Sequence, residues 1–255
     1  MLAEERQNQI LALVNAHRSI TAAEIQRRLN VSHETVRRDL LALEQRQQVR
    51  RTHGGAVAVE SGEPALAIRQ VINAEGKRAI GRRVAEIIPD GAAVMLGGGT
   101  TVQSVSEALT IRSGLTVVTN CIASCLKLIG RNANRVHLLG GEVQLQNQST
   151  LGRDAIEMLG KYYAGFAVIG AGGISPRGEI MDYSREEAEL YALMMQSAKT
   201  VIVLADHSKF GRIAPVRVKG LDAATYLVTD AQPEPAMAEV LGQLPVEVLV
   251  APISR

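Results

Sequence analysis

The chain has 255 residues, of which 46% are hydrophobic and 3% aromatic with no tryptophan, and its formal net charge is +2. That length exceeds one small domain and the apolar content supplies a sizeable core, so two domains are expected, while the scarcity of aromatics disfavours the stacking platforms used for single-stranded nucleic acid. No apolar run reaches membrane-spanning length, and the acidic start MLAEERQ lacks the basic and apolar regions of a secretion signal, which points to the cytoplasm and to no membrane partner.

Ile10, Leu13 and Val14 recur at helical spacing, Ile20 precedes Thr21 as a hydrophobic staple would, and Ile25 and Leu29 continue an apolar face. This predicts two short amphipathic helices. Ser32 then stands where an N-cap accepts the orphan amide protons of a third helix, with Glu34 near the positive end of its dipole. Val36, Leu40 and Leu43 fall at i, i+4 and i+7 and pack inward, leaving His33, Thr35, Arg37 and Arg38 on other faces near the helix start. Over residues 49–57, Arg50, Arg51, His53 and the pair Gly54-Gly55 read as a basic hairpin, a wing.

Seven arginines and no lysine lie between positions 27 and 51, against Glu34, Asp39 and Glu44, a local net charge of +4 in a chain whose total is +2. The charge is therefore a patch. Arginine's planar fork can pair with phosphate oxygens or with guanine O6 and N7, which a lysine point charge cannot match. A third helix whose first residues face outward, preceded by a helix that can cross the backbone and followed by a basic wing, describes a reader of double-stranded DNA.

The run TVRRDLLALEQRQQVRRTHGGA resembles the signature of the DeoR family of bacterial transcriptional regulators, and the resemblance extends over essentially the whole chain. It implies a winged helix-turn-helix over residues 1–57. The DNA contacts it implies are Ser32, His33, Thr35, Arg37, Arg38, Arg50, Arg51 and His53, with Arg37 and Arg38 foremost.

Ser61, Gly62 and Pro64 make a turn-prone stretch, so a linker is expected over residues 58–73 and a second domain over 74–255. There apolar runs alternate with helical segments: AAVML and TVQSVSEAL, LTVVT and CIASCLKLI, RVHLL, FAVIG, a helix near residues 186–197, VIVLA, YLVT and PAMAEVLGQL, then VEVLV. The pattern predicts an α/β fold with a largely parallel sheet. Cys121 and Cys125, four apart on an expected helix, read as two small buried side chains, and the histidines form no ligand motif, so neither a metal nor a cofactor is expected.

Small or polar residues follow nearly every strand: Gly97, Gly98, Gly99, Thr100 and Thr101; Asn120 after Thr119; Gly140 and Gly141; residues 170–173 starting with Gly170; and Asp206 to Lys209. In a parallel sheet the carboxyl ends of the strands share one rim, so these loops converge on one pocket. Glycine amides, the helix beginning near Thr101 and the two threonine hydroxyls suit a phosphate. Lys209 adds a countercharge, and Asp206 and Asn120 are placed to bond sugar hydroxyls. Each element also has a structural alternative, since a glycine triplet can serve only as a tight turn, Gly140-Gly141 can cap a strand, and Asp206 can cap the turn at Ser208.

These loops are similar to the sensor half of the DeoR family, in which an Asp-x-Gly-Thr-Thr loop, a Thr-Asn step, a Gly-Gly step and an Asp-x-Ser-Lys-Phe-Gly run recur. The resemblance implies a C-terminal α/β sensor domain similar to ribose phosphate isomerases, used for binding rather than turnover. A phosphorylated sugar or polyol would release a repressor of a carbohydrate or polyol catabolic operon from its operator. Paired half-sites about 34 to 36 Å apart would match a homodimer or homotetramer. Gly97 departs from the family pattern by removing a carboxylate expected to hold ligand hydroxyls. HSKFGR and EGKRAIGRRVAEIIPDG most resemble the glycerol phosphate repressor branch, whereas residues 181–189 depart from it where ligand selectivity is set. The alternative is a sugar phosphate isomerase with a DNA-binding appendage, using Asp206 as base and Lys209 as stabiliser; the missing carboxylate and the single candidate base disfavour it.

Overall fold

A computed structural model describes residues 2–17, 19–45, 48–52, 54–58, 62–251 and 253, which form two compact units, 1–74 and 75–255. The first begins with α1 (Ala3–His17), whose Ile10, Leu11 and Val14 are buried, followed by the short strand β1 (Ser19–Thr21) and α2 (Ala22–Leu29). Thr21 caps α2 by accepting the Glu24 amide at 3.2 Å, and Ile20 and Ile25 on either side of that cap both enter the core, the staple the sequence suggests. Ser32 likewise caps α3 (His33–Gln45): its hydroxyl accepts the Thr35 amide at 3.2 Å. Val36, Leu40 and Leu43 close the core from α3. β2 (Val49–Thr52) and β3 (Gly55–Ala58) form the wing, and β1 pairs antiparallel with β3, so the hairpin is the outer part of a three-stranded sheet.

Two features of this unit differ from the sequence expectation. The stretch expected as linker contains α4 (Leu66–Val71), which packs on α1 and buries Ile68 in the same core. In addition, Asp39, only a negative charge in the sequence count, is 1% exposed. It accepts from Arg6 Nε at 2.5 Å, Arg6 Nη2 at 3.2 Å and Gln7 Nε2 at 3.1 Å, tying α3 to α1. The Asp39 hydrogen bond raises the Arg6 guanidinium further above its ordinary value. Asp39→Ala would leave that guanidinium buried without a counter-charge, a loss of about 3 to 5 kcal/mol. Urea unfolding followed in this unit should show the drop, and an unchanged midpoint would show the pair to be dispensable.

The second unit alternates strands and helices: α5 (Ala74–Ile87), β4 (Ala93–Leu96), α6 (Thr100–Ala108), β5 (Thr116–Thr119), α7 (Ile122–Leu128), β6 (Arg135–Leu138), the hairpin β7 (Glu142–Gln144) and β8 (Ser149–Leu151), and α8 (Arg153–Leu159). β9 (Ala164–Gly170), β10 (Gly173–Ile174), β11 (Glu179–Asp182), α9 (Arg185–Gln196), β12 (Ala198–Leu204), β13 (Val216–Gly220), β14 (Tyr226–Thr229), α10 (Pro235–Gly242) and β15 (Glu247–Val250) complete it. Seven strands form one wholly parallel sheet in the order β15-β14-β12-β9-β4-β5-β6.

Both faces of this sheet are covered, as a parallel sheet requires, and the two-residue period of each strand divides its side chains between them. Val94 and Leu96 face Ile80 and Val84 of α5 and Val102 and Val105 of α6, whereas Met95 faces the side of Leu159 from α8 and Met194 from α9. The chain runs from β4 outward to β6, then returns to β9 on the other side of β4 and continues to β15. The order therefore reverses between β4 and β9, opening a crevice beyond the carboxyl ends of these two strands. The antiparallel set β10-β11-β13 and the β7–β8 hairpin lie outside the predicted α/β alternation. No helix among the described residues is long and apolar enough to cross a membrane.

Candidate nucleic-acid interface and anion site

The helix period places His33, Arg37 and Arg38 on the exposed side of α3 while Val36, Asp39 and Leu40 face inward. Ser32 is exposed and Thr35 half-buried, and their hydroxyls lie 2.8 Å apart within the helix cap. Carboxylates hold most of the neighbouring guanidinium groups. Arg37 donates twice to Glu34, Nε at 3.0 Å and Nη2 at 2.8 Å, and this pairing lowers the Glu34 carboxyl below its usual range. Arg28 Nε lies 2.6 Å from Glu24, which also bonds Arg27. Arg51 of the wing donates its main-chain N–H to Glu44 at 3.0 Å, joining the wing to the end of α3. Among the described arginine side chains of this segment, Arg38 alone has no carboxylate partner. Arg50 keeps β2 in register with Val57, but its side chain, and all of His53, lie outside the described residues.

The second candidate site lies where the sheet order reverses. Gly97 continues the strand, donating its amide to Val168 at 2.9 Å, and Gly99, at φ +97°, turns the chain into α6. Such a φ suits glycine, and it leaves the first amides of α6 directed into the crevice. Thr100 and Thr101 in that first turn are 9% and 8% exposed. Gly170 at the end of β9 faces this loop closely, since a methyl group on it would lie 3.5 Å from the Gly98 carbonyl oxygen. From the next strand, Lys209 brings Nζ to 3.5 Å from the Gly172 carbonyl oxygen. Residues 97–101, Gly170 and Lys209 are thus brought to one rim.

Other predicted residues also serve the local structure. Thr119 is 0% exposed with its hydroxyl engaged: Oγ1 donates to the Leu96 carbonyl at 2.7 Å and accepts the Cys121 amide at 3.0 Å, bracing β4 against β5. Gly141, at φ +113°, lets the β7–β8 hairpin close, since a methyl there would come within 2.3 Å of the Leu151 carbonyl oxygen; Gly140 beside it is exposed. Asp206 does cap the turn, with Oδ1 accepting from Ser208 N at 3.0 Å and Ser208 Oγ at 2.6 Å. Its Oδ2, both amide atoms of Asn120 and the hydroxyl of Ser149 are buried with no hydrogen-bond partner among the described residues. A buried polar group left so costs about 1 to 3 kcal/mol, which a bound ligand with matching groups relieves.

The cysteines also differ from expectation: Cys121 is buried but precedes α7 as its N-cap, and Cys125 is only half-buried, its thiol pushed up by desolvation. Among the described residues no cluster of histidine, cysteine and carboxylate could hold a metal ion. A cavity of about 500 Å³ opens beside the same strand ends, lined by Pro176, His207, Phe210 and Met237 among others, but none of residues 97–101 lines it.

Sequence reading missed three side chains at the crevice: Tyr191, Glu187 and Asn147. Tyr191 Oη accepts the Gly98 amide at 3.1 Å, so that amide is not available to an anion. Glu187, 4% exposed, accepts from Asn147 Nδ2 at 3.0 Å. The only sequence signal for them was that residues 181–189 depart from the family branch the rest resembles.

A winged helix-turn-helix carried with a doubly wound α/β unit that has a glycine-threonine loop at its switch point is the architecture of a ligand-responsive, DNA-binding transcriptional regulator. The chain belongs to the DeoR family: residues 6–62 match the DeoR-like helix-turn-helix domain and residues 72–231 the DeoR C terminal sensor domain. It is similar to the HTH-type transcriptional repressor GlcR of Bacillus subtilis, at 36% identity over 98% of this chain and 97% of that one. It is also similar to the glycerol-3-phosphate regulon repressor of Escherichia coli, at 30% identity over 94% and 96%. Among solved structures, ribose 5-phosphate isomerase A from Methanocaldococcus jannaschii overlaps with a TM-score of 0.41 at 14% identity, over 54% of this chain and 55% of that one. The beta subunit of eIF2B from Chaetomium thermophilum overlaps with a TM-score of 0.48 at 17% identity, over 69% and 56%. In both cases the chain spans little more than half the length of the matched structure.

Proposed function

We propose that this protein is a cytoplasmic repressor of a carbohydrate or polyol catabolic operon, a homodimer or homotetramer that leaves its operator when a phosphorylated sugar or polyol binds the crevice between β4 and β9. The observation that carries this reading is the first turn of α6, entered through Gly99 at φ +97° at the carboxyl end of β4, on the rim where Lys209 reaches the Gly172 carbonyl after the neighbouring β9. A helix N-terminus with a nearby ammonium group suits a phosphate, and the unpartnered buried atoms of Asn120 and Asp206 suit the hydroxyls attached to it. The repressors to which the chain is similar over nearly its full length include one of a glycerol-3-phosphate regulon. α3 with the wing would read the operator through Arg37, Arg38, Arg50 and Arg51 while Ser32, His33, Thr35 and His53 position the helix. Ligand and operator would favour opposite conformations, so a ligand with unequal affinity for the two shifts the population.

Purified protein screened by thermal shift against phosphorylated sugars and polyols, each beside its dephosphorylated form, should respond only to phosphorylated members. A ligand at a hundred times its Kd adds about 2.7 kcal/mol of apparent stability. The same compound should release an operator fragment in a gel-shift titration. Equal responses to the dephosphorylated forms would exclude the phosphate site. Isomerase turnover that Asp206→Asn abolishes would instead make the protein an enzyme.

A further inference from the structure

We propose that Glu187 of α9, with the hydroxyl of Ser149 beside it, reads the hydroxyl groups of the effector and replaces the carboxylate that the glycine loop lacks at position 97. The inference rests on the reading of that loop as a phosphate site and assigns the opposite end of the same ligand.

Space around the loop explains why position 97 carries no side chain. A methyl group on Gly97 would lie 2.9 Å from Cε1 of Tyr191, a ring that is 3% exposed and held in place by the Gly98 amide at 3.1 Å. Gly97 and Tyr191 are therefore a matched pair: the tyrosine fills the volume into which a side chain at 97 would project. One helical turn before Tyr191 on α9, and so on the same face, stands Glu187.

Three observations place Glu187 and Ser149 beside the glycine loop. A methyl group on Gly98 would lie 3.6 Å from Glu187 Oε1 and 4.0 Å from Ser149 Cβ, so both side chains adjoin the loop that turns into α6. Glu187 is 4% exposed, so its carboxylate is held within the wall of the crevice, where it accepts from Asn147 Nδ2 at 3.0 Å. Ser149 is 0% exposed, and its strand pairs beside Asn120; among the described residues neither the Ser149 hydroxyl nor the Asn120 amide has a hydrogen-bond partner.

Charge then orients the ligand. A carboxylate is acceptor-only and repels a phosphate, so the anion belongs at the α6 N-terminus and Lys209. Hydroxyl donors belong toward Glu187, with the Ser149 hydroxyl and the Asn120 amide able to donate or accept around them. The pocket consequently takes a phosphate ester that carries free hydroxyls, and it discriminates against a simple alkyl phosphate.

The test uses the full-length protein, its Glu187→Gln and Ser149→Ala variants, and calorimetry with inorganic phosphate, propyl phosphate, glycerol 3-phosphate, ribose 5-phosphate and fructose 6-phosphate. In the parent, at least one hydroxylated ester should bind about tenfold or more tightly than propyl phosphate. In Glu187→Gln that ratio should fall about tenfold, the scale of a lost hydrogen bond to a charged group, while propyl phosphate and operator affinities stay within about twofold of the parent. A merely structural role for Glu187 would weaken all the esters together and leave the ratio unchanged. Ser149→Ala removes a hydroxyl with no partner among the described residues and should lower the ratio several-fold without loss of stability, which covers the case in which Glu187→Gln folds poorly. A ratio preserved in both variants overturns the inference and leaves the phosphate site standing. If the parent binds none of the five compounds, the phosphate site falls, and this inference with it.

Discussion

Arg38→Ala is expected to lower operator affinity about five- to 150-fold, equivalent to about 1 to 3 kcal/mol, without measurable loss of stability. The residue is exposed on α3 beside the buried Asp39 and Leu40, and among the described residues nothing holds its guanidinium. Among the described residues the substitution therefore breaks no hydrogen bond or ion pair, so its effect should report chiefly on DNA. Arg37 is different, because its fork is already engaged by Glu34 and must exchange that partner for DNA. Exposed ion pairs of this kind are worth little, so the exchange is easy, but part of the gain is offset and Arg37→Ala should cost less than Arg38→Ala. Gel shifts across a salt series separate the modes of contact. If Arg38 meets only a phosphate, affinity for all sequences falls together and the salt slope drops by about 0.9; if it meets a base edge, discrimination at one operator position is relaxed. Parent-like affinity in both variants would remove α3 from the interface.

The second large effect lies at the other site. Thr100→Val combined with Lys209→Ala should leave operator affinity without ligand within about twofold of the parent, yet raise the ligand concentration needed for release by at least about thirtyfold. Deleting one partner of a desolvated charge pair costs about 2 to 5 kcal/mol, and here the charge lost is the ammonium near the Gly172 carbonyl. The valine replaces a hydroxyl in the first turn of α6 with a methyl group of similar shape. Because both positions belong to the second unit, outside the DNA-binding one, binding and release should separate in one gel-shift experiment. Release at the parent's ligand concentration would show that the anion sits elsewhere.

What could be read from the sequence was whatever depends on near neighbours. Thr21 and Ser32 cap helices three residues downstream, and Val36, Leu40 and Leu43 share a face by helical period alone. The alternation of apolar runs with helices likewise revealed the parallel sheet and placed the residues that follow its strands on one rim. Long-range partnerships were hidden. Asp39 meets Arg6 33 positions away, and Tyr191 meets Gly98 93 positions away, with no local pattern to announce either. α4 escaped notice because it is a six-residue helix placed just after Gly62 and Pro64, which read as a break. The engagement of Thr119 was hidden for a related reason: a polar residue at a strand end looks like a ligand group, and only the fold shows that the carbonyl of the adjacent strand takes its hydroxyl.

The strand order also governs the sequence in which the molecule can be made. The wing closes between residues as near as Arg50 and Val57, whereas β4 acquires its inner neighbour only when Val94 meets Phe166. Closing so long a segment is entropically slow, and during synthesis amino-terminal units organise first. On the ribosome the amino-terminal unit, whose strand pairs are all local, should therefore be complete before the seven-stranded sheet of the second unit can close.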